Sequence, residues 1–225
     1  MPRPLASLVL FTALLACLSA EGSNLLFNGD FELGNTGFGS DYTYLSTQSF
    51  LDNGHYAIGT NPSLYHWAAA SFGDHTTGSG LMMMVNGSGP EAGAVWRYDV
   101  SVSPNTDYDF SAYATSWTGP PANSDLDLGT LGFSVNGQSV GLLVAPRATW
   151  TQFSTTWNSG SSTTATLRIA EAGAGGAGGY DFALDDISIT PAAVPEPSTC
   201  CSLAAGLALG CWRLWSRRTS DQVIA

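Results

Sequence analysis

The 225-residue chain carries 18 acidic and 7 basic residues, contains no lysine, and has a formal net charge of −11 at pH 7. An acidic, lysine-free surface repels phosphate groups, so nucleic acid and anionic lipid are not expected as partners. The same composition suits calcium, which takes carboxylate and carbonyl oxygens as ligands.

The N-terminus has the features of a secretory signal peptide, predicted over residues 1–20. Arg3 provides a positive start, and residues 5–18 are mostly apolar. Small residues at 19–20 precede a predicted cleavage point before Glu21. The apolar run is too short for a stable membrane span, so we expect it to be removed on export.

The four cysteines all lie in the terminal segments: Cys17, Cys200, Cys201 and Cys211. An exported protein is free to form disulfides, but the segment between these cysteines has none to form. Residues 14–17 also resemble a lipoprotein cleavage box, with Cys17 as the lipidated residue. Lipidation at Cys17 and cleavage before Glu21 therefore stay open as alternatives.

Residues 24–190 are predicted to form one cysteine-free domain. Apolar and polar residues alternate along 96–102 and 108–114, which indicates strands with one buried face. A further run at 153–157 alternates in the same way. The parity of these runs places Trp96 and Phe153 in the core, and Asn136-Gly137 is typical of a tight hairpin. Because no long helical period occurs in this segment, the pattern predicts an all-β fold, an antiparallel β-sandwich.

Two motifs at the ends of this domain carry a family resemblance. Asn24 to Glu32 reads NLLFNGDFE, and Phe182 to Ile189 reads FALDDISI. With residues 74–80, which look like a recurrent strand entry, they resemble the corresponding strands of galactose-binding-like domains, the fold of several families of carbohydrate-binding modules. The resemblance implies a jelly-roll β-sandwich in which the first and last strands lie side by side.

The same resemblance implies a structural calcium ion. In those families a glutamate of the opening motif and an aspartate of the final strand share it, which here means Glu32 and either Asp185 or Asp186. Adjacent carboxylates repel each other, and a divalent cation relieves the repulsion. By strand parity Asp185 shares a face with Ile187 and Ile189, and parity alone does not select the ligand. The alternative is that these acids bind turn amides or lie in solvent.

Asp74 has two interpretations, as a turn cap or as a second calcium donor, and the turn cap is favoured. The three histidines, His55, His66 and His75, are dispersed and show no HxH or HExxH spacing. A zinc site needs three or four converging ligands, so no zinc site is predicted.

Sugar binding would need exposed aromatic side chains flanked by polar groups. Tyr113 and Trp117 have the strand parity opposite to the predicted core. The other candidates lie in loop-rich stretches. For each of them the alternative is an aromatic ring that caps the edge of a sheet. The candidates are Tyr42, Tyr44, Trp67, Tyr113 and Trp117.

Catalysis has little support in the sequence. The domain has no cysteine nucleophile. The glycine-rich run at 173–179 lacks the Lys and Ser/Thr of a phosphate-binding loop. We therefore predict a non-catalytic domain.

The C-terminus is predicted to contain a proline-rich linker at 191–199 and a membrane-spanning helix with a basic stop at 200–218. The prolines of Pro195-Glu196-Pro197 favour an extended chain. Arg217 and Arg218 follow the apolar run and suit the cytoplasmic side of a membrane.

This three-part tail resembles the PEP-CTERM sorting signal of Gram-negative bacteria. The resemblance implies that an exosortase, a membrane-embedded protease, recognises the tail and cuts near the Pro-Glu-Pro. The protein would then pass from the inner membrane to the cell surface or to an exopolysaccharide matrix. A plain C-terminal membrane anchor is the alternative, but it does not account for the Pro-Glu-Pro.

The sequence thus favours an exported, non-catalytic protein of the cell surface or extracellular matrix that binds polysaccharide. A purely structural or adhesive matrix component without a glycan site is the alternative. A glycoside hydrolase ranks lower, because spacing alone does not assign a pair of catalytic acids. The sequence identifies neither the sugar nor the oligomeric state.

Overall fold

The computed structural model describes residues 22–49, 51–117, 128–173 and 181–193. These residues contain ten strands and two short 3-10 helices, Pro62–Leu64 and Pro90–Ala92. The strands are β1 (Thr43–Tyr44), β2 (His55–Gly59), β3 (Met82–Asn86), β4 (Ala94–Ser101), β5 (Asp107–Ser116), β6 (Thr130–Val135), β7 (Gln138–Val144), β8 (Thr151–Asn158), β9 (Thr164–Glu171) and β10 (Phe182–Pro191).

The strands form two sheets that pack as a sandwich. One sheet has the order β1-β2-β3-β10-β5-β8, and the other has the order β4-β9-β6-β7. Every pair is antiparallel except β1 with β2. From β3 onward the chain changes sheet at each connection except the β6–β7 hairpin, which is the jelly-roll arrangement. The predicted all-β jelly-roll sandwich is therefore confirmed.

The core lies between the two sheets and consists of the inward residues of the alternating runs. Phe133 of β6 stacks on Phe153 of β8, with ring centroids 3.7 Å apart, so the two rings join one sheet to the other. Trp96 and Phe153 are both buried, as the parity predicts. Burial of such a side chain contributes roughly 1.5–3 kcal/mol.

The predicted hairpin at Asn136-Gly137 joins β6 to β7. Both residues have positive φ angles, 50° and 77°, as the tightest hairpin turns require. The Asn136 side chain also accepts a hydrogen bond from the Thr166 amide at 2.8 Å. The turn is thereby tied to β9, the next strand of the same sheet.

The opening segment runs beside the second half of β10, as the resemblance implies. The Leu25 amide donates to the Ile189 carbonyl at 2.9 Å, and the Ile187 amide donates to the Gly29 carbonyl at 2.8 Å. The Asn24 side chain adds two hydrogen bonds to the same stretch of β10. The two ends of the domain are thus joined directly by hydrogen bonds.

β10 contains a bulge that breaks the simple alternation. Its register against β5 shifts between Asp185 and Ser188, and Asp186 has a φ of 46°. Leu184 and Ile187 both pack in the core, so Asp185 lies on the outer face. The prediction that Asp185 shares a face with Ile187 and Ile189 is therefore wrong, because the bulge reverses the parity of the strand.

Several predicted segments lie outside the described residues. They are the signal peptide at 1–20 with Cys17, the sorting motif Pro195-Glu196-Pro197, and the helix at 200–218 with Arg217 and Arg218. In the described ranges, no helix has the length and hydropathy needed to span a membrane. β10 ends at Pro191, the first residue of the predicted linker.

Candidate functional site

Loops cover one half of the outer face of the six-stranded sheet and leave the other half uncovered. Met82, Met84 and Ala183 project outward, where they form a second apolar cluster with Leu51 and Tyr65. Leu51 precedes β2 and Tyr65 follows it. The loops before and after β2 therefore cover β3 and the first half of β10.

The outer side of β5, β8 and the second half of β10 carries mostly polar residues. The Ser111 and Ser188 hydroxyls lie 2.8 Å apart, and the Thr156 hydroxyl donates to Asp109 at 2.6 Å. These strands thus form a floor rich in hydroxyl groups. Read from β10 through β5 to β8, its rows are Asp185–Tyr113–Gln152, Ser188–Ser111–Ser154 and Thr190–Asp109–Thr156.

A cleft of about 390 Å³ lies over this floor. The opening segment forms one side of it, and the three strands form its base. Its volume falls in the range of small-molecule sites, and its lining is mostly polar. The lining residues are Asn24, Leu26, Asn28, Gly29, Asp30, Ser111, Tyr113, Gln152, Asp186, Ile187 and Ser188.

Tyr113 is the aromatic residue of the cleft. His75 stacks on its ring with centroids 3.5 Å apart and planes within 15°. The His75 Nδ1 in turn lies 2.5 Å from an Asp186 carboxylate oxygen. The ring of Tyr113 is therefore held on one side, and its side chain lines the cleft. A fixed ring beside hydroxyl and amide groups can bind both the apolar face and the hydroxyls of a sugar.

Asp185 precedes the lining residue Asp186 and is fully buried, with 0% of its surface exposed. Its carboxylate accepts hydrogen bonds from the amides of His75 at 2.8 Å and Asp186 at 2.9 Å. Burial, and then the charge of Asp186, raise the pKa of Asp185 to about 7. Near neutral pH this carboxyl group is thus divided between its neutral and charged forms.

Asp74 caps the turn that follows it. Its carboxylate accepts hydrogen bonds from the amides of Thr77 and Gly80, each at 2.7 Å. Burial by itself would raise the pKa of Asp74, but these hydrogen bonds outweigh burial and lower it. The geometry agrees with the favoured turn-cap interpretation.

The acids predicted to bind calcium fall into two pairs. Glu32 and Asp74 both lie beside Gly80, and Glu32 accepts a hydrogen bond from the amide of residue 81 at 2.8 Å. Asp185 and Asp186 bind the other end of the same turn. Among the residues that the structure describes, no three or more His, Cys, Asp or Glu side chains converge as metal ligands. In this arrangement the carboxylate oxygens of the four acids do not converge on one position for an ion. Calcium binding stays a prediction.

Two of the predicted sugar-binding aromatics are buried, so the expectation that they are exposed is wrong. Trp117 is 1% exposed and donates from Nε1 to the Val85 carbonyl at 3.0 Å. The covering loops account for this, because they bury the outer face where Trp117 lies. Tyr42 is 6% exposed and donates to buried Glu171 at 3.0 Å. Burial and the nearby carboxylate raise the pKa of Tyr42.

The other aromatic candidates are more accessible. Trp67 is 84% exposed, and the ring of His66 stacks on it at 5.7 Å. His66 also packs against buried Trp117, with centroids 5.3 Å apart. Tyr44 is 37% exposed and lies against Tyr56 at 5.3 Å. The structure does not place Trp67 or Tyr44 in the lining of the Tyr113 cleft.

The cleft floor also contains residues that the sequence patterns did not select. Ser111 has the same strand parity as Tyr113, which is a usable signal once β5 is recognised. Gln152 and Ser188 come beside Tyr113 and Ser111 only through the pairing of β8 and β10 with β5. Spacing along the chain does not reveal that pairing.

Comparisons with known proteins find similarity only among solved structures. No protein-family model matches the sequence, and no curated protein matches it. The chain is similar to the N-terminal CBM22-1–CBM22-2 tandem domain of Xyn10C from Paenibacillus barcinonensis, with 15% identity, 79% of this chain and 49% of that chain covered, and a TM-score of 0.45. It thus spans about half the length of that tandem.

Two single modules give similar values. The CBM22-1 xylan-binding domain of the same Xyn10C shows 14% identity over 77% of this chain and 97% of that one, with a TM-score of 0.40. A family 16 carbohydrate-binding module shows 18% identity over 74% and 99%, with a TM-score of 0.41. Likeness at this level carries no argument about function, which must come from the site itself.

Proposed function

We propose that the protein is an exported, non-catalytic surface or matrix protein that binds a polysaccharide in the Tyr113 cleft. The observation that carries this proposal is the cleft itself. It combines a ring held in place by His75 with hydroxyl and amide groups on three adjacent strands. That combination binds sugars without needing a reacting group.

The charges of the cleft favour a neutral sugar. Among the described residues, its lining includes Asp30 and Asp186 and no basic residue. An acidic sugar would meet repulsion from both carboxylates, whereas the hydroxyls of a neutral sugar can donate hydrogen bonds to them. A neutral polysaccharide is therefore the expected ligand of this cleft.

Asp107 and Asp109 of β5 have structural partners, which is consistent with a non-catalytic role for these two acids. Asp109 accepts a hydrogen bond from Thr156, and Asp107 accepts one from Asn158, each at 2.6 Å. Neither acid is held in an apolar pocket like the general acid of a glycosidase. Both are better suited to fixing the floor of the cleft.

Binding can be tested with the full-length protein on an array of neutral glycans, followed by calorimetry with the best ligand. We expect Tyr113→Ala to lower affinity by about tenfold or more, the order of one lost stacking contact and its hydrogen bond. Leu142→Ala provides the control, because Leu142 is exposed on the other sheet. Both variants should still unfold in one cooperative thermal transition, which shows that they are folded.

Two results would overturn the proposal. Equal loss of affinity in Tyr113→Ala and Leu142→Ala would mean that binding does not use the cleft. Absence of binding to every glycan by the wild-type protein would favour the alternative, a structural or adhesive matrix component. Retention of that protein in a biofilm matrix would support the alternative further.

Export and sorting by an exosortase complete the proposal. The support is the order Pro195-Glu196-Pro197, apolar run, Arg217-Arg218 in the sequence. We expect cells that express the full chain to release a protein whose mature C-terminus, read by mass spectrometry, ends near the Pro-Glu-Pro. A chain that stays intact in the inner membrane would contradict sorting and support a plain anchor.

A further inference from the structure

The outer face of the four-stranded sheet carries two arginines that face each other. Arg97 of β4 and Arg168 of β9 are direct partners across the two strands, and both are exposed. Their strand neighbours Trp96 and Leu167 point into the core. The two arginines therefore project from the side of the sandwich opposite the Tyr113 cleft.

This pairing is electrostatically unfavourable on its own. Like charges directly opposite each other on adjacent strands destabilise a sheet. Acidic residues outnumber basic ones by 18 to 7 in the chain, and the segment 24–190 contains only Arg97, Arg147 and Arg168. Two of these three arginines are placed together. Asp41 already pairs with Arg97, and a further anion bound at Arg168 would relieve the repulsion that remains.

The two arginines differ in how firmly they are held. The Arg97 guanidinium pairs with Asp41, whose carboxylate also accepts a hydrogen bond from the Ala94 amide at 2.7 Å. The Arg97 side chain lies across Gly39, where an added Cβ would meet Arg97 Nε at 2.8 Å. Within the described ranges, the Arg168 guanidinium has no hydrogen bond or ion pair. The Arg97 guanidinium is thus held in place before a ligand binds. The N–H donors of the Arg168 guanidinium are available to a ligand.

A cleft of about 370 Å³ opens next to Arg97. Asp99 and Thr166, which are cross-strand partners on the same face, line it together with Tyr98 and residues 37–39. Asp99 and Thr166 provide a carboxylate acceptor and a hydroxyl group beside Arg97 in this cleft, and Arg168 lies on the same face two residues from Thr166. This set suits a ligand that has both an acid group and several hydroxyls.

We propose that this face binds a sugar that carries a carboxylate, such as a uronate residue of an acidic polysaccharide. The guanidinium groups of Arg97 and Arg168 bind the carboxylate through paired N–H donors, whose geometry matches its two oxygens. Asp99 and Thr166 bind the ring hydroxyls. The negative charge of Asp99 disfavours densely charged polyanions, which distinguishes a uronate from a nucleic acid.

The site is independent of the Tyr113 cleft, since the two lie on opposite outer faces of the sandwich. A chain with both sites could link a neutral polysaccharide to an acidic one. Either site can fail without the other, so the experiments separate the two proposals.

Calorimetry of the full-length protein with a galacturonate trisaccharide tests the inference, with the fully methyl-esterified trisaccharide as the uncharged counterpart. We expect the acid to bind at least about tenfold more tightly than the ester, and Arg168→Gln to weaken the acid by about tenfold, the order of one charged hydrogen-bonded contact. Arg168 is the primary variant because its guanidinium makes no hydrogen bond or ion pair in the part of the chain that the structure describes. Arg147→Gln removes the same charge elsewhere and should leave affinity within about twofold.

Four results would overturn the inference. They are no binding of the acid by the wild-type protein, equal affinity for acid and ester, equal weakening by Arg147→Gln and Arg168→Gln, and loss of acid binding in Tyr113→Ala. The third would indicate only a general effect of net charge. The last would place the acid in the other cleft. Unchanged melting temperatures of the variants exclude misfolding as a cause.

Discussion

Asp185 makes the stability of the fold depend on pH. Burial and the charge of Asp186 raise its pKa from 3.8 to about 7 in the folded protein. Between these two values the folded state keeps a proton that the unfolded chain has lost. The contribution of Asp185 to stability is therefore complete below pH 4 and is lost as the pH rises through 7.

We expect this residue to lower the free energy of unfolding by at most about 4 kcal/mol between pH 4 and pH 8. Asp185→Asn should remove most of that pH-dependent loss, although it also weakens a hydrogen bond from the His75 or Asp186 amide at every pH. Urea unfolding across this pH range measures the slope. Asp109→Asn, on the same face but partly exposed, should keep the wild-type slope. A slope that persists in Asp185→Asn would contradict the assignment.

Gly29 is required for a different reason, the space between two backbones. A Cβ at this position would lie 2.0 Å from the Ile187 carbonyl oxygen, which is backbone and cannot move aside. We expect Gly29→Ala to destabilise the fold by about 3 kcal/mol or more, the upper range for overpacking. Gly34→Ala is the control, because Gly34 has a φ of 73° and an added Cβ there meets nothing within 4 Å.

Gly34→Ala should cost only the strain of a left-handed backbone, roughly 1–2 kcal/mol. Chemical denaturation of the two variants side by side measures both effects. Equal losses would mean that the opening segment can move away from β10 without penalty.

At the scale of the element, β10 has features that the sequence predicts and one that it does not. The alternation of 182–189 predicted a strand, and the resemblance placed it beside the opening segment. The bulge was not predictable, because the Asp185 and Asp186 carboxylates are bound by His75 and Thr76, about 110 residues earlier in the chain. Contacts between such distant segments produce no periodic pattern in the sequence of either segment.

The loops around β2 are the second element that the patterns did not predict. The parity of Trp117 correctly placed it on the outer face, but its burial depends on Leu51 and Tyr65 in loops that pack over that face. Loop residues lack periodicity, so the covering of a sheet face by loops has no signature comparable to strand alternation. The aromatic candidates were separated into buried and accessible ones only by the tertiary structure.

Trp117 and Trp67 therefore provide a matched pair for the covered half of the sheet. We expect Trp117→Ala to cost about 3–5 kcal/mol, because it leaves a cavity in the second cluster and an unpaired Val85 carbonyl. Trp67→Ala should change stability by less than about 1 kcal/mol, since its side chain is 84% exposed. Urea denaturation distinguishes the two. A large loss in Trp67→Ala would mean that this ring supports the loop rather than facing a ligand.

At the scale of the whole molecule, the jelly roll assembles the cleft from four parts of the chain. They are the opening segment, β5, β8 and β10. The sequence patterns predicted sugar binding by Tyr113, and the family resemblance implied calcium binding by Asp185 or Asp186. Ser111, Gln152 and Ser188 are polar residues of ordinary strands, and they join the lining only because the strand order β10-β5-β8 brings them together.

The ends of the domain also allow a test of the calcium prediction. Hydrogen bonds already join the opening segment to β10, so an ion held by Glu32, Asp185 and Asp186 would add to an existing link. Such an ion would favour the charged form of Asp185 and reduce the loss of stability above pH 7. Its effect on the melting temperature would therefore be larger at pH 8 than at pH 5.

If calcium binds there, an excess of about 100-fold over its dissociation constant stabilises the fold by about 2.7 kcal/mol, or roughly 5–10 °C for a domain of this size. Scanning calorimetry of EDTA-treated protein, with and without calcium, measures the shift, and magnesium is the control for ionic strength. Asp185→Asn should remove the shift, since it removes a charged ligand. Equal melting temperatures in EDTA and in calcium at pH 8 would show that hydrogen bonds alone join the two ends of the domain.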